Sequence, residues 1–259
     1  MSSTAAWPDR IPIVGTPISL TSYAELLELL EQRPTERAAV VAFCNVHSVM
    51  TARRRPDVAA ALEEADVATS DGMPLVWGIR AAGYPDQPRV YGPTFMELAL
   101  KHGVDAGWNH FFYGSTDETL TKLVAAAREL APGVRIAGSY SPPFRPATDD
   151  DLRADAALII ESGADLVWVG LGMPKQELWM RRAAALLPGT ALLGVGAAFD
   201  FLAGTVPQAP MWMQSAGLEW LYRLAQEPGR LWRRYIINNP HYLWLLGRDI
   251  LRDRLARKV

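Results

Sequence analysis

Residues 164–187 read ADLVWVGLGMPKQELWMRRAAALL, and this stretch decides the fold. Ala164–Gly170 is an apolar run without alternation, the pattern of a strand covered on both faces. Gly170-Leu171-Gly172 is a turn of small residues, and Pro174 suits the first position of a helix running to Leu187. Strand, Gly-rich turn and helix together make the repeating element of a parallel α/β sheet.

The same alternation extends both ways along the chain. Ala38–Cys44, Val67–Ser70, Asn109–Tyr113, Val134–Gly138 and Thr190–Val195 read as further strands. Helices are expected over Thr21–Glu31, with Thr21 and Ser22 as caps, over Thr116–Leu130 and over Asp149–Ser162. The fold class is therefore α/β: a Rossmann-like, mostly parallel sheet flanked by helices, with right-handed crossovers. Pro207 and Pro210 mark a break. It divides a core, residues 1–206, from a helical C-terminal appendage, residues 207–259. Three appendage helices are expected, over 216–227, 229–237 and 240–257, punctuated by Pro228 and Pro240.

Composition narrows the function. The 259 residues are 49% hydrophobic and 21% charged, which excludes a disordered chain. One cysteine excludes an internal disulfide framework, and with only four histidines a zinc cluster is not expected. The net charge of −2 conceals an asymmetry. Residues 211–259 hold nine basic and four acidic residues, a balance of +5, which leaves −7 for residues 1–210. Four of the nine tryptophans also lie in that tail. A basic, Trp-rich tail on an acidic body points to an anionic partner. The acidic body and the lack of a nucleic-acid motif argue against nucleic acid. No apolar run reaches the ~18 residues of a spanning helix. Met1–Gly15 lacks the apolar core of a signal peptide, so a cytoplasmic location is expected.

In open α/β sheets ligands bind beyond the carboxyl ends of the strands. The residues there are Asn45, Asp71-Gly72, Gly114-Ser115, Gly170-Leu171-Gly172 and Gly194-Val195-Gly196, with Asp200 just beyond. Small residues allow close backbone approach to a phosphate or sugar, although each Gly pair reads equally as a tight strand-to-helix turn. Neither pair completes the dinucleotide fingerprint, which argues against a nicotinamide oxidoreductase. His47 reads as a packed or surface histidine, Cys44 as a buried one, and Asp149-Asp150-Asp151 as the acidic first turn of a helix.

Four ordered segments resemble a known family. Asn45, Ala65-Asp66-Val67 and Ser70-Asp71-Gly72 resemble the N-terminal half of the WecG/TagA/CpsF glycosyltransferases, glycosyltransferase family 26. Val169–Glu177 and Gly194–Asp200 are similar to its next two motifs, and Gly217–Leu224 with Glu227-Pro228 and Arg230 to its C-terminal signature. The resemblance covers about residues 10–245. It implies transfer of a sugar, N-acetylmannosamine or another hexose, from a UDP-sugar to a polyprenyl-diphosphate-linked acceptor. The reaction would be inverting and metal-independent, would need no cofactor, and would serve cell-surface polysaccharide or teichoic-acid-type synthesis at the inner membrane face. A homo-oligomer is also compatible with the family. The resemblance places the base on Asp71, sugar and nucleotide contacts on Asn45, Gln176 and Asp200, and diphosphate contacts on Arg223, Arg230 and Arg233. Gly72, Gly114, Gly172 and Gly196 complete the expected substrate-binding set. Two departures, Phe43 for Thr and Thr94 within Gly92-Pro93-Thr94-Phe95, lie beside the expected sugar site. They leave a second reading open: a non-catalytic nucleotide-sugar sensor or scaffold on the same fold.

The chemistry matches these residue types. A carboxylate at a strand end can take the acceptor's proton, a contribution of about 10²–10⁴-fold. Asn45 and Gln176 suit orientation rather than proton transfer. Arginine forks bind phosphate oxygens bidentately and stay charged, so they can serve where other enzymes use a metal. Tyr235-Ile236-Ile237, Tyr242–Leu246 and Ile250-Leu251, followed by Arg252, Arg254, Arg257 and Lys258, have the composition of an interfacial helix on anionic lipid.

Overall fold

The computed structural model describes residues 6–256; the side chains of Arg230, Arg234 and residues 253–256 lie outside that description. Arg257 and Lys258, expected at the membrane, also lie outside it. The chain opens with β1 (Arg10–Ile13) and β2 (Thr16–Ser19), an antiparallel hairpin. Its two-residue turn, Val14-Gly15, has φ of 50° and 81°, the left-handed pair that matches the twist of a hairpin. Val14 is β-branched and ill-suited to that region, but its side chain is buried in the core. Sequence pattern does not reveal this hairpin, because each strand has four residues and one is a proline.

Then follow α1 (Tyr23–Glu31), β3 (Ala39–Cys44), α2 (Val46–Ala52), α3 (Pro56–Glu64), β4 (Val67–Ser70), α4 (Met73–Ala81), α5 (Gly92–Ala106) and β5 (Asn109–Gly114). The second half continues with α6 (Asp117–Leu130), β6 (Arg135–Tyr140), α7 (Asp149–Glu161), β7 (Leu166–Gly170), α8 (Lys175–Ala183) and β8 (Ala191–Gly194). Short α9 (Ala198–Leu202) and α10 (Met211–Ser215) lead to α11 (Glu219–Gln226) and α12 (Pro228–Ala256). The six expected strands form one sheet in the order β4-β3-β8-β7-β5-β6, every pair parallel. The expected α/β class is thus observed.

Period-two alternation along the strands feeds two cores. Val40, Ala42 and Cys44 of β3 face α2, α3, α7 and α8, while Ala39, Val41 and Phe43 face α1, α5, α6 and α9. The helices end where local chemistry says they should. Ser22 caps α1, Thr116 caps α6, and Asn45 and Thr148 form capping boxes at α2 and α7. The acidic run 149–151 is the first turn of α7, and its members pair with Arg182, Arg153 and Arg145. Pro174 stands at the N-cap of α8 rather than inside it.

α8 also ends at Ala183 rather than Leu187, and the C-terminal helices differ more. Pro240 does not end a helix; it lies inside the 29-residue α12. A proline removes one ladder hydrogen bond and crowds the preceding turn, yet tertiary contacts hold the helix through it. Tyr242, Leu245 and Leu246, immediately after it, are buried in the core beside Ile79 of α4. The Tyr242 hydroxyl donates to the Pro74 carbonyl at 3.1 Å, and Arg54 Nη2 donates to Asn238 Oδ1 at 2.9 Å just before the proline.

Tyr242 is therefore the anchor of α12. Tyr242→Ala is expected to destabilise the protein by about 3–5 kcal/mol, the usual cost of emptying a buried aromatic site. Urea denaturation of both proteins measures this, and a loss below about 1 kcal/mol would contradict the anchoring role.

Candidate active site

β3 and β8 are neighbours, but the helices that follow them leave on opposite sides. α2 packs on one face of the sheet and α9 on the other. A crevice opens between such strand ends for topological reasons. Here it is a cavity of about 460 Å³, bounded by the ends of β3, β4, β7 and β8 and roofed by α11 and the first turns of α12.

Asp71 forms part of its wall. The residue follows β4 directly, and its N–H donates to the Cys44 carbonyl at 2.9 Å, continuing the ladder one step past the strand. Its carboxyl is half-buried and accepts the Gly92 N–H at Oδ1, 2.7 Å away, and the Asn45 side chain favours its ionised form. Burial pushes the carboxyl up to about 6, and Glu219 adds to the rise. Arg89, Gly92 and Asn45 oppose it without cancelling it. Such a carboxylate is ionised at neutral pH and still basic enough to accept a proton.

Asn45 serves two neighbours. Its Oδ1 accepts the His47 and Ser48 N–H groups at 3.0 and 3.4 Å, capping α2. Gln176 is buried and spent on loop geometry. Its Oε1 accepts the Gly172 N–H at 3.1 Å, and its Nε2 donates to the Gly194 carbonyl at 2.7 Å. It thereby clamps the loops after β7 and β8 together. Gly172 and Gly196 line the cleft at φ of 74° and 53°, so the backbone itself is the surface there. Gly72 also lines it, and a Cβ there would come within 3.1 Å of Asn45.

Asp200 lines the cleft from the first turn of α9. Arg223 reaches it from α11, with its guanidinium 5.5 Å from the Phe201 ring and its buried Nε without a hydrogen-bond partner. Gly114 is not in the cleft. It pairs with Gly170 in the sheet, and a Cβ would approach the Gly170 carbonyl carbon to 2.8 Å, so its smallness serves strand packing. Arg233 is exposed beside Trp232, away from the cleft, and the Arg230 side chain lies outside the described residues. Phe43 lines the wall below Gly92 and packs on Phe95, with ring centroids 5.6 Å apart. His47 also lines the cleft, and Cys44 is buried behind it.

Three further residues were not singled out by sequence reasoning. Arg89 donates through Nε to the Asp71 carbonyl and through Nη2 to Glu219 Oε2 at 2.7 Å, and stacks 3.9 Å above Tyr91. The Tyr91 hydroxyl donates to Glu219 Oε1 at 2.8 Å. Glu219 lies within the Gly217–Leu224 segment that resembles the family's C-terminal signature, but no role followed from that position. Among the described residues no three His, Cys, Asp or Glu side chains converge on a metal-sized site.

A profile of the glycosyl transferase WecG/TagA/CpsF family matches residues 11–257. The chain belongs to this family. A similar protein from Bacillus spizizenii, N-acetylglucosaminyldiphosphoundecaprenol N-acetyl-beta-D-mannosaminyltransferase, is 31% identical over 226 residues, covering 86% of this chain and 84% of that one. This WecG/TagA/CpsF member is accordingly a glycosyltransferase, and the cleft at the β3–β8 divergence is its candidate active site.

A carboxyl raised by burial works against the fold. An unfolded Asp titrates near ~3.9, so between about pH 4 and 6 the native state binds more protons, and stability falls as pH rises through that window. Asp71→Asn removes the buried charge. It is expected to raise stability at pH 8 by up to about 3 kcal/mol, with a higher thermal midpoint, and to leave stability at pH 4 nearly unchanged. Calorimetry at the two pH values measures the difference.

Proposed function

We propose that this glycosyltransferase moves an N-acetylhexosaminyl group, N-acetylmannosaminyl first among them, from a UDP-sugar to a polyprenyl-diphosphate-linked N-acetylglucosamine. The observation that carries the mechanism is the Asp71 carboxyl, which follows β4 into the cleft and is held there by the Gly92 N–H, with burial raising its proton affinity. The acceptor comes from the name of the Bacillus spizizenii relative. In a single displacement the acceptor hydroxyl attacks the anomeric carbon and gives its proton to Asp71. The bond from that carbon to the phosphate oxygen breaks on the opposite side, and UDP leaves with the electron pair, inverting the configuration.

The departing diphosphate gains negative charge. Arg223, with its unpartnered buried Nε, is the cation assigned to it, in place of a metal. Gly172 and Gly196 let the donor approach the backbone, and Asp200 stands at the nucleotide end. Phe43 gives the sugar pocket an apolar wall where the family commonly has a hydroxyl. The wild-type enzyme is expected to transfer from one member of a UDP-sugar panel to the lipid-linked acceptor, detected by product mass. Asp71→Asn should lose about 10²–10⁴-fold in kcat. The wild-type kcat/KM should fall below a midpoint near pH 6. Product formation by the Asn variant at the wild-type rate would remove Asp71 from the mechanism.

A lipid-linked acceptor requires the enzyme at a membrane. No helix among the described residues is long and apolar enough to cross one. α12 buries one face and exposes Trp232, Ile236, Ile237, Leu243, Trp244 and Leu251 on others, beside Arg248 and Arg252. This surface is proposed to lie on anionic lipid at the inner membrane face. Replacing Trp232 and Trp244 with Ser together is expected to reduce cosedimentation with anionic vesicles severalfold. Neutral vesicles provide the control, and unchanged sedimentation would refute the surface.

A further inference from the structure

The C-terminal helices bring a carboxylate into the catalytic wall. Glu219, at the start of α11, uses both its oxygens there: Oε2 accepts from Arg89 at 2.7 Å and Oε1 from Tyr91 at 2.8 Å. Gln208 Nε2 in turn donates to the Tyr91 hydroxyl at 3.2 Å. The Arg89 and Glu219 side chains are only 16% and 17% exposed, so solvent screens the pair weakly. Arg89 meanwhile touches Asp71 through the main-chain carbonyl, and the carboxyl accepts instead from the Gly92 N–H. The Arg89 N–H groups are thus spent on Glu219 and the Asp71 main chain rather than on the carboxyl, although the Arg89 charge still favours the ionised carboxyl.

We propose that Glu219 is a positioning residue for the transfer: it holds the Arg89 guanidinium away from the Asp71 carboxylate. A guanidinium paired directly with a carboxylate lowers its proton affinity by about one to three pKa units, which makes a poor base at neutral pH. Glu219 acts against that in two ways. It competes for the guanidinium, and its own negative charge disfavours a second carboxylate nearby.

Several other groups face Asp71. Arg89 and Tyr91 lie on the segment before α5, Tyr23 comes from α1 and Cys44 from β3. His47, Glu177, Asp200 and Arg223 line the same cleft from α2, α8, α9 and α11. Among these carboxylates, Glu219 is the one whose charge raises the Asp71 pKa. It is also 148 residues along the chain from Asp71, on an element that must dock before it can act.

The inference rests on the reading of Asp71 as the base, but its test needs no turnover. In full-length protein labelled with carboxyl-¹³C aspartate, the Asp71 resonance, assigned by its loss in Asp71→Asn, is titrated in wild type, Glu219→Gln and Glu219→Asp. Hydrogen exchange over residues 219–226 reports whether α11 stays docked. The expected result is a midpoint lower by about one pH unit in Glu219→Gln, with exchange unchanged and partial recovery in Glu219→Asp. In transfer assays the same Gln variant should lower kcat several-fold with little change in donor KM, and move the acid limb down with the midpoint. An unchanged midpoint in docked Glu219→Gln overturns the proposal. So does a lower midpoint accompanied by loss of α11 protection, which assigns the effect to undocking alone. Wild-type protein that transfers no sugar at all would instead overturn the functional reading, whatever the titration shows.

Discussion

β3 and β8 run side by side, from Ala39 opposite Ala191 to Ala42 opposite Gly194, yet the chain leaves them toward opposite faces of the sheet. Everything in the cleft follows from that divergence. Because α2 goes one way and α9 the other, the strand ends between them are not roofed by their own helices. The roof has to come from elsewhere, and α11 and α12 supply it. Gln176 keeps the floor in shape by tying the loop after β7 to the last carbonyl of β8.

The Asp71 environment is a compromise between two demands. A carboxylate deep in protein is poorly solvated, and a cation directly on it would restore stability at the expense of basicity. The protein takes a middle course. One neutral donor, the Gly92 N–H, holds the carboxyl in place, and Arg89 hydrogen-bonds Glu219 rather than the carboxyl. A hydrogen-bonded but unneutralised carboxylate is the outcome, with an energetic cost spread over the rest of the fold.

The parts of the molecule that were legible in the sequence share a cause. Buried parallel strands are continuous apolar runs, and all six were visible with ends within two residues or so of the observed ones, as were the capped helices. Asp71, Asn45, Asp200 and Arg223 were visible because strand ends and family motifs mark them. The remainder depended on distant partners. The β1–β2 hairpin is too short and too rich in proline for a periodic signal. Pro240 reads as a stop, and only the burial of Tyr242 and its neighbours explains the continuous helix. Gly114 looks like a phosphate-loop glycine until its register with Gly170 is known. The Arg89–Glu219 pair joins residues 130 apart, a separation no local pattern encodes.

The position of β8 has a consequence for how the chain comes together. It is the last strand in sequence, but it lies in the middle of the sheet. Until residues 191–194 are available, the nascent chain can form only β4-β3 on one side and β7-β5-β6 on the other. Each half would present an open parallel edge, β3 or β7, with unpaired N–H and C=O groups on a strand of apolar side chains. Insertion of four residues, Ala-Leu-Leu-Gly, closes both edges at once and brings the two halves of the cleft into register. Synthesis of some three-quarters of the polypeptide therefore precedes the first moment at which the sheet can be whole. During that interval, protection from aggregation has to come from helices already laid against the half-sheets or from chaperones.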